Sequence, residues 1–242
     1  MRTWPEPEPG HVGQLYSQNS QKYNVAQFDD TTRARLWATY SNFILGSVEN
    51  HTPQPGRLLD VGCNAGDLLY AARNNGWRAE GLEINKENAQ HLVEQGFTVF
   101  DKPLEMCDEI VDDQYDAVVI NQVLEHVHDI NRFLTSIKRV LKPDGCLFVG
   151  VPACWSPIPL LIQRRRWYAF LPNEHVWQFS RGSAERLLEH HRFRILHYVR
   201  GCSAFWGQLS IHPKTWARWC LYRLVALSRQ GDFLNFVASN QK

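Results

Sequence analysis

The stretch Leu58-Leu59-Asp60-Val61-Gly62-Cys63-Asn64-Ala65-Gly66-Asp67, followed by Gly81-Leu82-Glu83-Ile84, decides how this chain folds. An apolar run ends in an acidic residue, breaks into a glycine-bounded turn, and re-enters a helical pattern through Asp67, Leu68, Leu69, Ala71 and Ala72. A second short apolar run then ends in a carboxylate, Glu83, 21 residues after Gly62. Strand, tight turn, helix, strand and carboxylate in this order describe a nucleoside-binding crevice at the carboxyl ends of parallel strands. Gly62 and Gly66 let the backbone approach a ligand where a Cβ would clash. Asn64 stands where a further glycine is common, and asparagine tolerates the left-handed conformation better than most residues. Glu83 can accept two hydrogen bonds from a ribose diol.

Spacing selects the kind of ligand. A dinucleotide fingerprint reads Gly-x-Gly-x-x-Gly and places a pyrophosphate on a helix amino terminus. Here the glycines are four apart and Asp67 follows at the helix start. Asp67 suits the helix dipole but repels a pyrophosphate, so a cationic, phosphate-free ligand fits better. These residues resemble the first motif of class I S-adenosylmethionine-dependent methyltransferases, with Glu83 as the acidic residue of the second. Tyr115-Asp116-Ala117-Val118-Val119-Ile120-Asn121-Gln122-Val123-Leu124-Glu125-His126-Val127 resembles the fourth motif, and Leu141-Lys142-Pro143-Asp144-Gly145 the sixth. The resemblance spans roughly residues 57 to 200, with its motifs in order.

Whole-chain properties narrow the alternatives. The 242 residues suffice for one sizeable core. Lys and Arg total 26 against 25 acidic residues, so no global charge signature points to nucleic acid. Six cysteines are scattered without a Cys-x-x-Cys pair, which argues against a disulfide framework or zinc site and for a reducing compartment. The amino terminus lacks the apolar segment of a signal peptide, and no apolar stretch reaches membrane-spanning length. These features lead us to expect a cytoplasmic protein with no membrane partner; oligomeric state is left open.

Apolar periodicity predicts a helix from Asp29 or Asp30 to about Val48, then strands at 57–61, 79–84, 97–100, 116–121 and 146–151. Helices are expected at 67–75, 86–95, near 104–110 and from Asn131 to Leu141, with Gly76 and Gly96 closing the first two. Ser180 should cap a helix to His190, ahead of strands from Phe193 to Arg200 and from Phe233 to Ser239. Alternation of this kind implies an α/β fold, a doubly wound and mostly parallel sheet with helices on both faces. The resembled family implies seven strands, the last inserted antiparallel beside the fifth. Residues 1–50 read as a disordered start and a helical cover, and 51–242 as a single domain. Within that domain, 152–180 read as a substrate lid and 201–230 as a helical insertion, with helix at 213–229.

The resemblance also implies roles. Asp60, Gly62 and Gly66 should surround the methionine portion of S-adenosylmethionine, with Glu83 at the ribose and Cys63, Asn64 and Ile84 as further cofactor-binding candidates. Asp101, Lys102 and Leu104 are candidates beside the adenine, Asn121 should face the sulfonium end, and Gln122 is a further cofactor-binding candidate. The Gln122–His126 segment resembles ubiquinone-pathway O-methyltransferases and related sugar and natural-product enzymes. In the ubiquinone group a Glu at the Gln122 position helps bind a divalent metal; glutamine is a poor ligand, so no metal is expected here. His126 is a candidate general base, or a helix-start histidine bonded to backbone. His175, within Asn173-Glu174-His175-Val176-Trp177-Gln178-Phe179-Ser180, is its rival on a loop over the crevice, or a residue that pins that loop. Tyr16 and Tyr23 are placed to close over the cofactor. Arg164-Arg165-Arg166 with Trp167 and Tyr168 is either a substrate clamp, an RNA contact or a solvated run. The expected reaction is methyl transfer from S-adenosylmethionine to a hydroxyl of a small sugar, polyketide-like or phenolic acceptor. An RNA or protein methyltransferase, or a non-catalytic cofactor-binding subunit, is the alternative.

Overall fold

The computed structural model describes residues 31–154, 174–201 and 231–242, with side chains from residue 38 onward. Seven strands form one sheet in the order β3-β2-β1-β4-β5-β7-β6. They are β1 (Arg57–Val61), β2 (Arg78–Leu82), β3 (Thr98–Phe100), β4 (Tyr115–Asn121), β5 (Leu141–Pro152), β6 (Phe193–Gly201) and β7 (Phe233–Asn240). The first five pair in parallel, whereas β7 runs antiparallel to both β5 and β6. The expected sheet and its terminal hairpin are therefore both present. Strand order reverses between β1 and β4, which places a ligand crevice beyond the carboxyl ends of these two strands.

Alternation along the strands divides the core into two layers. Leu59, Val61, Val118, Ile120, Leu147 and Val149 face one way. There they pack with Ile130, Phe133, Leu134 and Ile137 of α4 (Ile130–Val140) and with Ala184 and Leu188 of α5 (Arg181–His190). Leu58, Ala117, Val119, Phe148 and Val237 face the opposite layer. That layer holds Leu68 and Ala72 of α2 (Asp67–Asn74) and Tyr40, Ile44, Leu45 and Val48 of α1 (Thr31–Glu49). The described half of α1 is built into the sheet's own core. Helix α3 (Lys86–Glu94) lies toward the β3 edge, where Leu92 joins Cys63, Leu69 and Phe97.

Most element ends follow local chemistry. Asn85 caps α3 by accepting from the backbone of Glu87 and Asn88, Asp129 caps α4 through Arg132, and Ser180 forms a reciprocal box with Ser183. Gly76 and Gly96 follow their helices in the left-handed conformation, at φ 85° and 81°. Two expectations fail. The helix near 104–110 is a single 3-10 turn, Leu104–Met106, because Cys107 leaves helical geometry at φ −93° and ψ 79°. The fifth strand begins at Leu141, not 146. Leu141 already pairs with Tyr115, and Lys142–Gly145 make an irregular excursion before Cys146 pairs with Ala117. Tyr16, Tyr23, Arg164–Arg166 and the helix expected at 213–229, and most of the lid expected at 152–180, lie outside the described residues.

The terminal strand is locked to α4 by one side chain. Buried Asn240 donates through Nδ2 to the carbonyls of Lys138, Leu141 and Lys142, at 3.2, 2.9 and 3.1 Å. Replacing Asn240 with alanine strands these acceptors, at a cost of about 1–3 kcal/mol. Urea unfolding of Asn240→Ala should show that loss, with ligand affinity in the distant crevice unchanged.

Candidate active site

Buried Asp60 ends β1. The chain then turns through Gly62 at φ 76°, Asn64 at φ 49° and Gly66 at φ 82°. The Gly62 and Cys63 amides both donate to the Leu82 carbonyl, at 2.8 and 3.1 Å, which folds the turn back over β2. A Cβ on Gly62 would stand 2.6 Å from Val123 Cγ2, so the turn after β1 abuts the loop after β4. Only glycine permits both that approach and that φ.

Glu83 holds this turn from the side. Its Oε2 accepts from the Asn64 amide at 2.8 Å and its Oε1 from the Asn85 amide at 2.7 Å. Asn88 of α3 donates to Asn64 Oδ1 at 2.9 Å and completes the frame. Burial raises the Glu83 pKa, against the amides of Asn85, Asn64 and Ile84 that favour its ionised form. Asp60 is pushed up to about 7, first by burial and then by the charges of Glu83 and Asp67. Three carboxylates thus converge on one glycine turn. A cation relieves their repulsion and a phosphate would add to it.

The remaining cofactor-side candidates separate. Ile84 is half-buried against the core beside the crevice. Asp101 is exposed at the end of β3, whose Phe100 carbonyl accepts from the Glu83 amide at 2.9 Å. Lys102 pairs with Glu109 at 3.0 Å. Leu104 is 1% exposed and packs in the core.

At the end of β4 the chemistry changes. Asn121 Oδ1 accepts from Tyr40 Oη at 2.8 Å, across 81 residues of sequence. Gln122 follows in the left-handed conformation at φ 58°, a cost that non-glycine residues meet mainly at functional sites. Its Nε2 is buried and meets no hydrogen-bond partner among the described residues. The next turn, Leu124–His126, carries Glu125 and His126. His126 Nδ1 contacts the Glu174 carbonyl at 2.9 Å. A carbonyl only accepts, so Nδ1 carries the proton and Nε2 keeps its lone pair. Burial lowers the His126 pKa, which favours the neutral ring.

The returning segment is fastened to this turn by backbone bonds. The amides of Val176 and Trp177 donate to the Glu125 carbonyl at 2.8 and 3.1 Å, and Trp177 Nε1 to the Val127 carbonyl at 2.7 Å. His175 is thereby held beside His126, ring centroids 4.7 Å apart and edge to face. Both sequence candidates for the catalytic histidine therefore occupy one place. His126 also makes the backbone contact that its alternative reading foresaw. Two members went unrecognised in the sequence. Tyr40 read only as part of a helix's apolar face, and Glu125 only as part of a motif. A carboxylate in an otherwise buried stretch was the available signal for Glu125. It is 1% exposed and pushed up to about 8 by burial.

Comparison with known proteins agrees with this geometry. The family described as "Methyltransferase domain" matches residues 30–198. The mitochondrial ubiquinone biosynthesis O-methyltransferase of Bos taurus is 38% identical over 123 residues, covering 44% of this chain and 32% of that protein. The ubiquinone biosynthesis O-methyltransferase of Haemophilus ducreyi is 32% identical over 104 residues, covering 39% and 44%. The chain thus spans about a third to under a half of the length of these curated relatives. Among solved structures, the 1,6-didemethyltoxoflavin-N1-methyltransferase of Burkholderia thailandensis superimposes with a TM-score of 0.61 at 17% identity, covering 97% of this chain and 89% of that one. The [4+2]-cyclase SpnF superimposes at 0.65 and 18%, covering 99% and 98%. At such identities the likeness is one of fold, and a fold alone does not fix a reaction. The family match over most of the chain, on the turn and strand ends where the carboxylates converge, carries the assignment: this chain belongs to the methyltransferase-domain family, in its class I, S-adenosylmethionine-dependent branch.

Proposed function

We propose that this protein transfers the methyl group of S-adenosylmethionine to a hydroxyl of a small acceptor, with a phenolic ring as the first class to test. The observation that carries the reading is the position of Glu125, His126 and His175 beyond the end of β4, beside the carboxylate-lined turn after β1. Methyl transfer is an in-line displacement: the acceptor oxygen bonds to the methyl carbon while the sulfur–carbon bond breaks. The sulfonium leaves as a neutral thioether, so the protein mainly aligns the partners, excludes water and takes up the hydroxyl proton. The neutral His126 ring, fixed by its Nδ1 contact, offers Nε2 as that proton acceptor. Asn121 and Tyr40 border the same end of the crevice.

The ubiquinone-pathway relatives support oxygen as the acceptor atom. Four described cysteines, Cys63, Cys107, Cys146 and Cys154, are free, which supports a reducing compartment, the cytoplasm in our reading. None of the described helices is long and apolar enough to cross a membrane. The test is label transfer from methyl-tritiated S-adenosylmethionine to a panel of catechols, simple phenols, sugars and amines. Methylation of a hydroxyl, with kcat lowered about 100- to 10,000-fold in His126→Ala, is expected. Transfer confined to amines, or no transfer to any acceptor, overturns the reading.

A further inference from the structure

We propose that Asn235 of β7 is a specificity-determining residue for the methyl acceptor: its amide oxygen takes a hydrogen bond from a second O–H or N–H group carried beside the reacting hydroxyl. The inference rests on the proposed methyl transfer and adds the substrate feature that the site selects. Strand register builds the subsite. Asn121 of β4 pairs with Gly150 of β5, and Gly150 pairs with Asn235. The three stand in one row at the carboxyl end of β4 and β5, the end from which the His126 turn departs. By alternation they share the face of Val119, Phe148 and Val237, the layer against which α1 packs. Those three are apolar, as a buried layer requires, whereas the row above them carries two amides.

Asn235 is 4% exposed, and its Oδ1 is buried and meets no hydrogen-bond partner among the described residues. Its orientation is set from the other side. Nδ2 donates to the Val199 carbonyl of β6 at 3.4 Å, which turns the oxygen back toward β5. Gly150 makes room for it: a Cβ there would stand 2.3 Å from Asn121 Oδ1 and 3.3 Å from Asn235 Oδ1. The two amide oxygens thus lie no farther apart than those two distances together, over a strand glycine of the kind that marks a close approach. Neither oxygen can donate to the other. Asn121 Oδ1 already accepts from Tyr40 Oη at 2.8 Å, which leaves Asn235 Oδ1 in need of a donor. Asn240 of the same strand also has an unpartnered Oδ1, but its Nδ2 is held by three carbonyls, a structural reason for its presence. Asn235 has one long bond. A buried amide oxygen without a donor is costly, and a ligand group that supplies the donor explains its retention.

An amide oxygen recognises donors only. A ring with two hydroxyls, or with a hydroxyl and an amine, satisfies it, whereas a singly hydroxylated ring leaves it unpaired and is rejected on that account. A second point of attachment also fixes how the acceptor lies, and alignment is what methyl transfer chiefly requires of the protein. His126 keeps its role as proton acceptor.

Binding can be read without turnover. Protein loaded with S-adenosylhomocysteine is titrated calorimetrically with phenol, catechol, resorcinol and hydroquinone, the last three placing a second donor at different distances from the first. At least one dihydroxybenzene should bind about 10- to 100-fold more tightly than phenol. Asn235→Leu and the smaller, strand-compatible Asn235→Val should each reduce that ratio to within about threefold. Both should bind S-adenosylhomocysteine as the wild type does, which reports that they are folded. Equal wild-type affinity for all four phenols, a ratio kept in either folded variant, or loss of S-adenosylhomocysteine binding in both variants overturns the inference. Methyl transfer to phenol and to the dihydroxybenzenes at equal kcat/KM overturns it and leaves the reaction standing. An Asn235-dependent binding preference in a protein that methylates none of them supports the subsite and removes the proposed reaction.

Discussion

Glu83→Ala should lower the affinity for S-adenosylhomocysteine by about 100-fold or more, because two hydrogen bonds to a charged acceptor contribute about 1.5–3 kcal/mol each. The loss has two sources that a second variant separates. Glu83 is placed to take the ribose diol, and it also anchors the turn through the amides of Asn64 and Asn85. Glu83→Gln keeps one acceptor oxygen and the shape, so it should lose less, about 10-fold. Isothermal titration with S-adenosylhomocysteine measures both, and a parallel titration with NAD should show no binding. Equal affinities in wild type and Glu83→Ala would remove Glu83 from the cofactor site.

Asp60→Asn should move stability and affinity in opposite directions. The Asp60 pKa is raised to about 7 in the folded chain, chiefly by burial and then by Glu83 and Asp67, against about 3.9 unfolded. Below the unfolded value both states hold the proton, and the residue costs nothing. As pH rises toward the folded value the unfolded chain ionises first, so stability declines across this window and levels off above it. The full cost is at most about 4 kcal/mol. Asp60→Asn should therefore raise the unfolding free energy of ligand-free protein by about 2–4 kcal/mol at pH 8 and by almost nothing near pH 4. The same change should weaken S-adenosylmethionine, because the ammonium and sulfonium charges favour ionised Asp60. In the wild type, affinity should fall by up to about tenfold per pH unit below 7. Denaturant unfolding and ligand titration at several pH values provide both numbers. A mutant destabilised at pH 8 would mean that Asp60 is a satisfied structural acid and not a charge held ready for a cation.

The cofactor half of the site was legible because its determinants are local. Asp60, Gly62, Asn64 and Gly66 lie on one turn, and the φ values of 76°, 49° and 82° at Gly62, Asn64 and Gly66 are properties of single residues. Glu83 lies one strand away, and parallel pairing of β1 with β2 fixes its approach. Leu104 was less legible, because an apolar residue in a loop looks the same whether it faces a ligand or the core. The strand from Leu141 was shortened because Pro143-Asp144-Gly145 reads as a turn, although pairing resumes on both sides of it.

On the acceptor side, the sequence alone determined that His126 and His175 were candidates, and that the glycine turn and its carboxylates suit a cationic nucleoside cofactor. It could not determine that the two histidines stand together, or that Tyr40 reaches Asn121 across 81 residues. Only the tertiary structure brought the loop at 174–179 onto the turn after β4 and buried the Glu125 carboxylate with no hydrogen-bond partner among the described residues. The physical reason is one of range. Turn conformation and strand periodicity are set by interactions between near neighbours in sequence, whereas burial and its compensation depend on which distant segments the packed sheet brings into contact.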